Sequence, residues 1–140
     1  MQKLNTAEDP RKQLSVAGRF TLMFTSILFW VVADTLPESE NLFKVCAKIV
    51  SVLSFLNYAT WTGTRGLVGT LDFLAVHISG FLFILRLFQK PFPFSSNLLM
   101  SFATWYAWKR KQNAEGQLSV HVLALMNLFM FGLMCKAQMK

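Results

Sequence analysis

Apolar and polar positions alternate along this chain in blocks. Residues 1–15 are polar, with Glu8, Asp9, Pro10, Arg11 and Lys12, and read as a short exposed tail. A first apolar stretch covers residues 16–33, broken only by Arg19 near its start, whose long side chain can reach a membrane interface. Residues 34–41 form an acidic break with Pro37, Glu38 and Glu40. The second stretch, 42–61, carries Lys44 and Lys48 four residues apart with Ser51 on the same helical stripe, so that edge should face protein, headgroups or the acidic break. Gly63, Gly66 and Gly69 then mark a tight connection into a third stretch, 67–88. Pro91 and Pro93 stop any helix, and Ser95, Ser96 and Asn97 are N-cap candidates for a fourth segment, 95–108. The fifth, 116–135, contains no formal charge and is followed by a short tail, 136–140.

Four of these segments have the length of a bilayer crossing. At 1.5 Å per residue a stretch of 18 residues makes roughly 27 Å of helix, close to the ~30 Å of a hydrocarbon core. Segment 95–108 makes only about 21 Å, so it crosses only with help from its extended lead-in or lies as a re-entrant or surface helix. No stretch alternates with a period of two, and open strands would leave unpaired backbone groups in lipid. The expected fold is therefore all-α: a polytopic membrane bundle of four to five helices with short loops, forming one domain over residues 16–135. The run Val31, Val32, Ala33 before Asp34 also fits a small-residue cleavage site, which makes a removed leader a competing reading of residues 1–33.

Composition agrees and narrows the function classes. The chain is 54% hydrophobic and 15% charged, against roughly a quarter charged in ordinary soluble domains. That balance excludes a disordered tail, a collagen-like fibre, a disulfide scaffold and a soluble enzyme with a conventional wet surface. The net charge of +7 does not point to nucleic acid, because the cations sit at the ends of apolar runs and not on one polar face. With five crossings, Lys3, Arg11, Lys12, Arg19, Arg65, Lys109, Arg110 and Lys111 fall on the side of the N-terminus, eight of fourteen cations. The positive-inside rule then puts the N-terminus on the cytoplasmic or equivalent side.

Candidate chemistry is sparse. Ionisable groups inside a bilayer need a partner or a function, and the third segment holds Asp72, His77 and Arg86. Asp72 and His77 lie about 140° apart around a straight helix, too far around the axis to pair, and Arg86 sits at the far end. Asp72 is expected to meet Arg65, Arg19 or the Lys109 cluster as a helix-end salt bridge. Together with Asn57, Asp72 and His77 are also the candidates for a polar path through the bundle. His77 and His121 invite a haem or metal reading, but their estimated depths differ by roughly 9 Å, and no His-x-x-x-His or Cys-x-x-Cys spacing occurs. No cofactor is therefore expected. Cys46 and Cys135 sit inside apolar stretches and say nothing of redox compartment. No nucleophile elbow, carboxylate dyad or potassium-channel filter is present.

One surface feature is sharper. Trp105, Tyr106 and Trp108 run into Lys109, Arg110 and Lys111, which sets amphipathic rings beside three cations and predicts an anchor on anionic lipid headgroups. The leading functional expectation is a small integral membrane protein that acts through helix packing and contact with a membrane partner or a second copy, for instance as an accessory or assembly subunit. A carrier or channel-like protein with a polar path at Asp72 and His77 is the alternative, and an intramembrane metal or haem enzyme the third.

Overall fold

A computed structural model describes residues 15–61, 66–110 and 114–138, of which 114 and 115 by backbone alone. Within them the chain forms five α-helices and no strand: α1 Val16–Ala33, α2 Asn41–Ala59, α3 Leu67–Phe88, α4 Ser95–Arg110 and α5 Ala114–Gln138. Single 3₁₀ turns, Glu38–Glu40 and Phe92–Phe94, lead into α2 and α4. The protein is an all-α bundle. Four segments are long and apolar enough to cross a membrane, namely Val16–Ala33, Glu38–Ala59, Leu67–Phe88 and Gly116–Gln138. Helix α4 has 16 residues and about 24 Å of length, and it is not one of the four.

The helix ends follow local chemistry. Ser15 Oγ accepts a hydrogen bond from the Gly18 N–H at 2.9 Å and so caps α1. Pro91 ends the helical course after α3, and Phe94 N–H bonds back to Pro91 O to close the 3₁₀ turn before α4. Ser96 Oγ donates to Pro93 O at 3.4 Å. Asn97, by contrast, is no cap: it is fully buried, and its amide crosses to α5.

The helices pack in a ring. Helix α1 lies on α2, α2 on α3, α3 on α4, α4 on α5, and α5 returns to α1, with the α3–α4 seam the thinnest of the five. The end at which α1 begins is here called proximal and the opposite end distal. At the proximal end, Arg19 Nη2 donates to Ala59 O at 3.1 Å, so a cation supplies a carbonyl left without a partner by the end of α2. At the distal end Lys48 pairs with Asp34 at 3.0 Å and Lys44 with Glu38 at 2.8 Å, which places the lysine stripe of α2 against the acidic break.

Helix association in lipid gains little from hydrophobic burial, because hydrocarbon tails are as apolar as the side chains. In such surroundings close packing and buried hydrogen bonds would hold the ring instead. The distal core joins Leu36, Phe43, Leu87, Phe94, Phe131 and Cys135. Phe131 meets Phe43, Phe83 and Phe94 edge-on at centroid distances of 6.3, 4.9 and 5.7 Å, and each such pair is worth about 0.5–1.5 kcal/mol. Gly132 lets α5 lie close to the α1–α2 connection, since a Cβ there would lie 3.1 Å from Leu36 Cδ2. Both cysteines are free.

Candidate functional site

Three sets of polar side chains interrupt the apolar interior, and each joins helices distant in sequence. At the distal end Glu40, 3% exposed, receives Arg86 through two bonds, Nε to Oε1 at 3.1 Å and Nη2 to Oε2 at 2.9 Å. Lys90 Nζ adds a third at 3.0 Å and lies over the Phe94 and Phe131 rings at 5.3 and 5.7 Å. A carboxylate held by two cations can stay ionised out of water, and here it locks the start of α2 to the end of α3.

The second set ties α4 to α5. Asn97 Nδ2 donates to the Asn127 carbonyl at 3.0 Å and to its Oδ1 at 2.9 Å. Asn127 Nδ2 donates onward to Ser101 Oγ at 2.8 Å, and Ser101 Oγ donates to Asn97 O at 2.9 Å. Nothing in linear order announces this network, although buried amides in an apolar segment must find partners somewhere.

The third set lies in the proximal half, where α1, α2, α3 and α5 converge. Ser54 Oγ donates to Asp72 Oδ1 at 2.6 Å and Asn57 Nδ2 to Asp72 Oδ2 at 3.3 Å. Two of the three residues proposed for a polar path, Asp72 and Asn57, are thus directly bonded, and both are buried. Arg65, an expected partner of Asp72, lies outside the described residues. Nearby, Thr25 Oγ1 is 2.6 Å from His121 Nδ1 and 3.0 Å from Leu22 O. The carbonyl can only accept the threonine's single hydrogen, so both contacts are satisfied when His121 carries its proton on Nδ1.

His77, the third proposed path residue, sits half-buried one and a half turns further along α3 than Asp72. Its Nδ1 is 2.9 Å from Phe73 O. Its ring stacks on Phe73 at 4.2 Å and meets Trp108 edge-on at 4.8 Å. Asp72 and His77 do not pair, but both border one small cavity of about 60 Å³ with Ser54, Tyr58, Gln117 and His121. The two histidines also share the wall of a larger cavity, which the depth estimate along separate helices did not anticipate. Among the described residues no group of three or more His, Cys, Asp or Glu could hold a metal.

The larger cavity measures about 560 Å³ and draws its wall from all five helices. Phe29, Phe43, Phe83, Trp108 and Leu128 line it, and Ser54, His77, Ser79, Ser101, Thr104, His121 and Asn127 supply its polar atoms. Phe81, Phe102 and Trp105 belong to the same wall, yet they are 63%, 48% and 52% exposed on the outside of the bundle. The cavity therefore opens sideways, along the thin seam between α3 and α4.

The aromatic and basic end of α4 divides its roles. Trp108 turns inward onto α3 and borders both cavities. Tyr106 points outward, 58% exposed, and accepts a bond from Arg110 Nη1 at 3.1 Å. Lys109 Nζ lies over Trp105 at 5.2 Å. Lys111 lies outside the described residues. No known protein family, curated protein or solved structure matches the chain.

Proposed function

We propose that this chain is a small multi-pass membrane protein that takes an apolar, chain-like molecule from the surrounding lipid into the cavity between its helices. The reading belongs with the carrier alternative, with Asp72 and His77 at the polar end of the path. One observation carries it: the cavity is apolar, of a size within the ~300–1,000 Å³ of small-molecule sites, and open along the side that lipid would cover. Phenylalanines and tryptophans on the wall suit hydrocarbon and not a hydrated ion. Binding is favoured over catalysis, because Thr25, whose hydroxyl lies 2.6 Å from His121 Nδ1, borders neither cavity.

Gly80 offers the test. It belongs to the cavity wall, and a Cβ built there meets nothing within 4 Å, so Gly80→Phe adds bulk without a backbone clash. Native mass spectrometry of the protein released from mild detergent is expected to show retained lipid on the wild type and its loss in Gly80→Phe. Wild-type protein that retains no lipid, or equal retention by both proteins, would count against the cavity as a binding site.

Contact with a membrane partner is the second reading, favoured by the outer face of α3, where Ile78, Phe81 and Phe88 are 58%, 63% and 65% exposed. A stoichiometric companion in the same spectra would support it. The Lys109, Arg110 and Lys111 end is proposed to face anionic headgroups beside Trp105 and Tyr106. Cation placement favours an N-terminus on the cytoplasmic or equivalent side.

A further inference from the structure

The polar atoms on the larger cavity's wall differ in what they can still offer a guest. Ser54 Oγ donates to Asp72, Ser101 Oγ to the Asn97 carbonyl, and Thr104 Oγ1 to the Met100 carbonyl at 2.8 Å. A hydroxyl has a single hydrogen, so among the described residues Ser79 alone of the four serines and threonines on that wall has not committed its own. The other three can only accept.

His77 is fixed in the same sense. A carbonyl cannot donate, so the contact from Nδ1 to Phe73 O requires the proton on Nδ1, and in the neutral ring Nε2 is then an acceptor only. Stacking on Phe73 and the edge contact with Trp108 hold the ring from two sides. Flipping it to present N–H to the cavity would cost the bond to Phe73. The three committed hydroxyls and Nε2 of His77 are thus acceptors, with Asp72 just beyond on the smaller cavity. A carboxylate head would bring acceptors only, with no hydrogen for Nε2 of His77. A bare hydrocarbon would leave the His77 nitrogen without a donor.

From this arrangement we infer that the guest is a neutral long-chain amphiphile whose head donates a hydrogen bond, a hydroxyl, to Nε2 of His77 while its chain lies among Phe43, Phe83 and Leu128. The inference rests on the cavity reading given above and adds the class of head group.

Chain-brominated probes distinguish these claims, since bromine quenches tryptophan and both Trp105 and Trp108 border the cavity. The full chain in zwitterionic nanodiscs is titrated with a brominated long-chain alcohol, the alkane of equal length and the corresponding carboxylate. One net hydrogen bond is worth about 0.5–1.5 kcal/mol, so the alcohol should quench saturably with roughly three- to tenfold higher affinity than the alkane, and the carboxylate should not exceed the alkane. His77→Phe keeps a ring between Phe73 and Trp108 while removing both nitrogens. It should bring the alcohol down to the alkane's affinity and leave the alkane unchanged, which a merely structural role for His77 would not do. Equal binding of alcohol and alkane by the wild type, tighter binding of the carboxylate, or an alcohol preference that survives His77→Phe would overturn the head-group assignment alone. Absence of saturable quenching by every probe would remove the cavity reading with it.

Discussion

Removing the carboxylate of Glu40 should be among the most damaging single changes available in this bundle. Its side chain is 2% exposed and holds two cations, Arg86 and Lys90, whose side chains are 35% and 17% exposed. Glu40→Gln keeps the shape but leaves two positive charges facing each other across a neutral amide at the α2–α3 junction. Breaking a buried ion pair by removing one partner costs about 3–5 kcal/mol, and the partial exposure of Arg86 puts the expected loss near the lower bound, about 3 kcal/mol. The cations are individually less critical. Arg86→Met leaves Glu40 paired with Lys90 and loses the two-point contact, an expected cost of about 1–2 kcal/mol. Lys90→Met leaves the Arg86 pair whole and should cost about 1 kcal/mol or less. Stepwise unfolding by SDS in mixed micelles, followed by far-ultraviolet circular dichroism and tryptophan emission, reads all three. The predicted order is Glu40→Gln worst, Arg86→Met next and Lys90→Met mildest. A Glu40→Gln protein within about 1 kcal/mol of the wild type, or Lys90→Met as the worst of the three, would show that the cluster is not the lock its geometry describes.

Asn97→Asp turns a donor into a second acceptor against the Asn127 carbonyl and Oδ1, so in the same unfolding assay it should lose about 2–4 kcal/mol. Asn97→Leu, which removes the conflict but strands Asn127, should fall between that variant and the wild type. Gly132→Val forces a side chain to within 3.1 Å of Leu36 Cδ2 and 3.5 Å of Thr35 O; a loss of about 1–3 kcal/mol is expected, with Gly132→Ala nearer the lower value. Replacing Lys109, Arg110 and Lys111 together by Gln should lower co-purifying anionic lipid on the order of tenfold and leave zwitterionic lipid unchanged, as read by lipid mass spectrometry.

How legible this architecture was in the sequence depends on the range of the interaction that made it. Segments 16–33 and 67–88 coincide with α1 and α3, because a predominantly apolar run bounded by Asp34, or by Gln89 and Pro91, fixes a membrane-length helix by local means. The shortness of α4 was visible for the same reason. The lysine stripe of α2 announced a polar neighbour, and its partners Glu38 and Asp34 are close in sequence.

What could not be read was pairing across the ring. Glu40 and Arg86 are 46 residues apart, and Asn97 and Asn127 are 30 apart. Nothing along either helix names its partner until the packing order is known. Asn97 read as a cap because a cap and a buried cross-link use the same amide chemistry. The missed signal was that Asn127 stands inside an apolar stretch, where a side-chain amide must find a bond on a neighbouring helix. The cavity was further out of reach, since it arises where α3 and α4 fail to meet closely, a property of no single segment.

The outward apolar faces of the bundle are suited to hydrocarbon. Spin labels placed singly at Phe24, Ile49, Ile78 and Leu133 test this most directly. These positions sit well within α1, α2, α3 and α5 and are 60%, 48%, 58% and 52% exposed on the bundle surface. In a Cys46→Ala, Cys135→Ala background reconstituted in liposomes, collisional relaxation should be strong with dissolved oxygen, which concentrates in lipid, and weak with a water-soluble nickel chelate at all four sites. Ready access of the nickel chelate to these positions would contradict it.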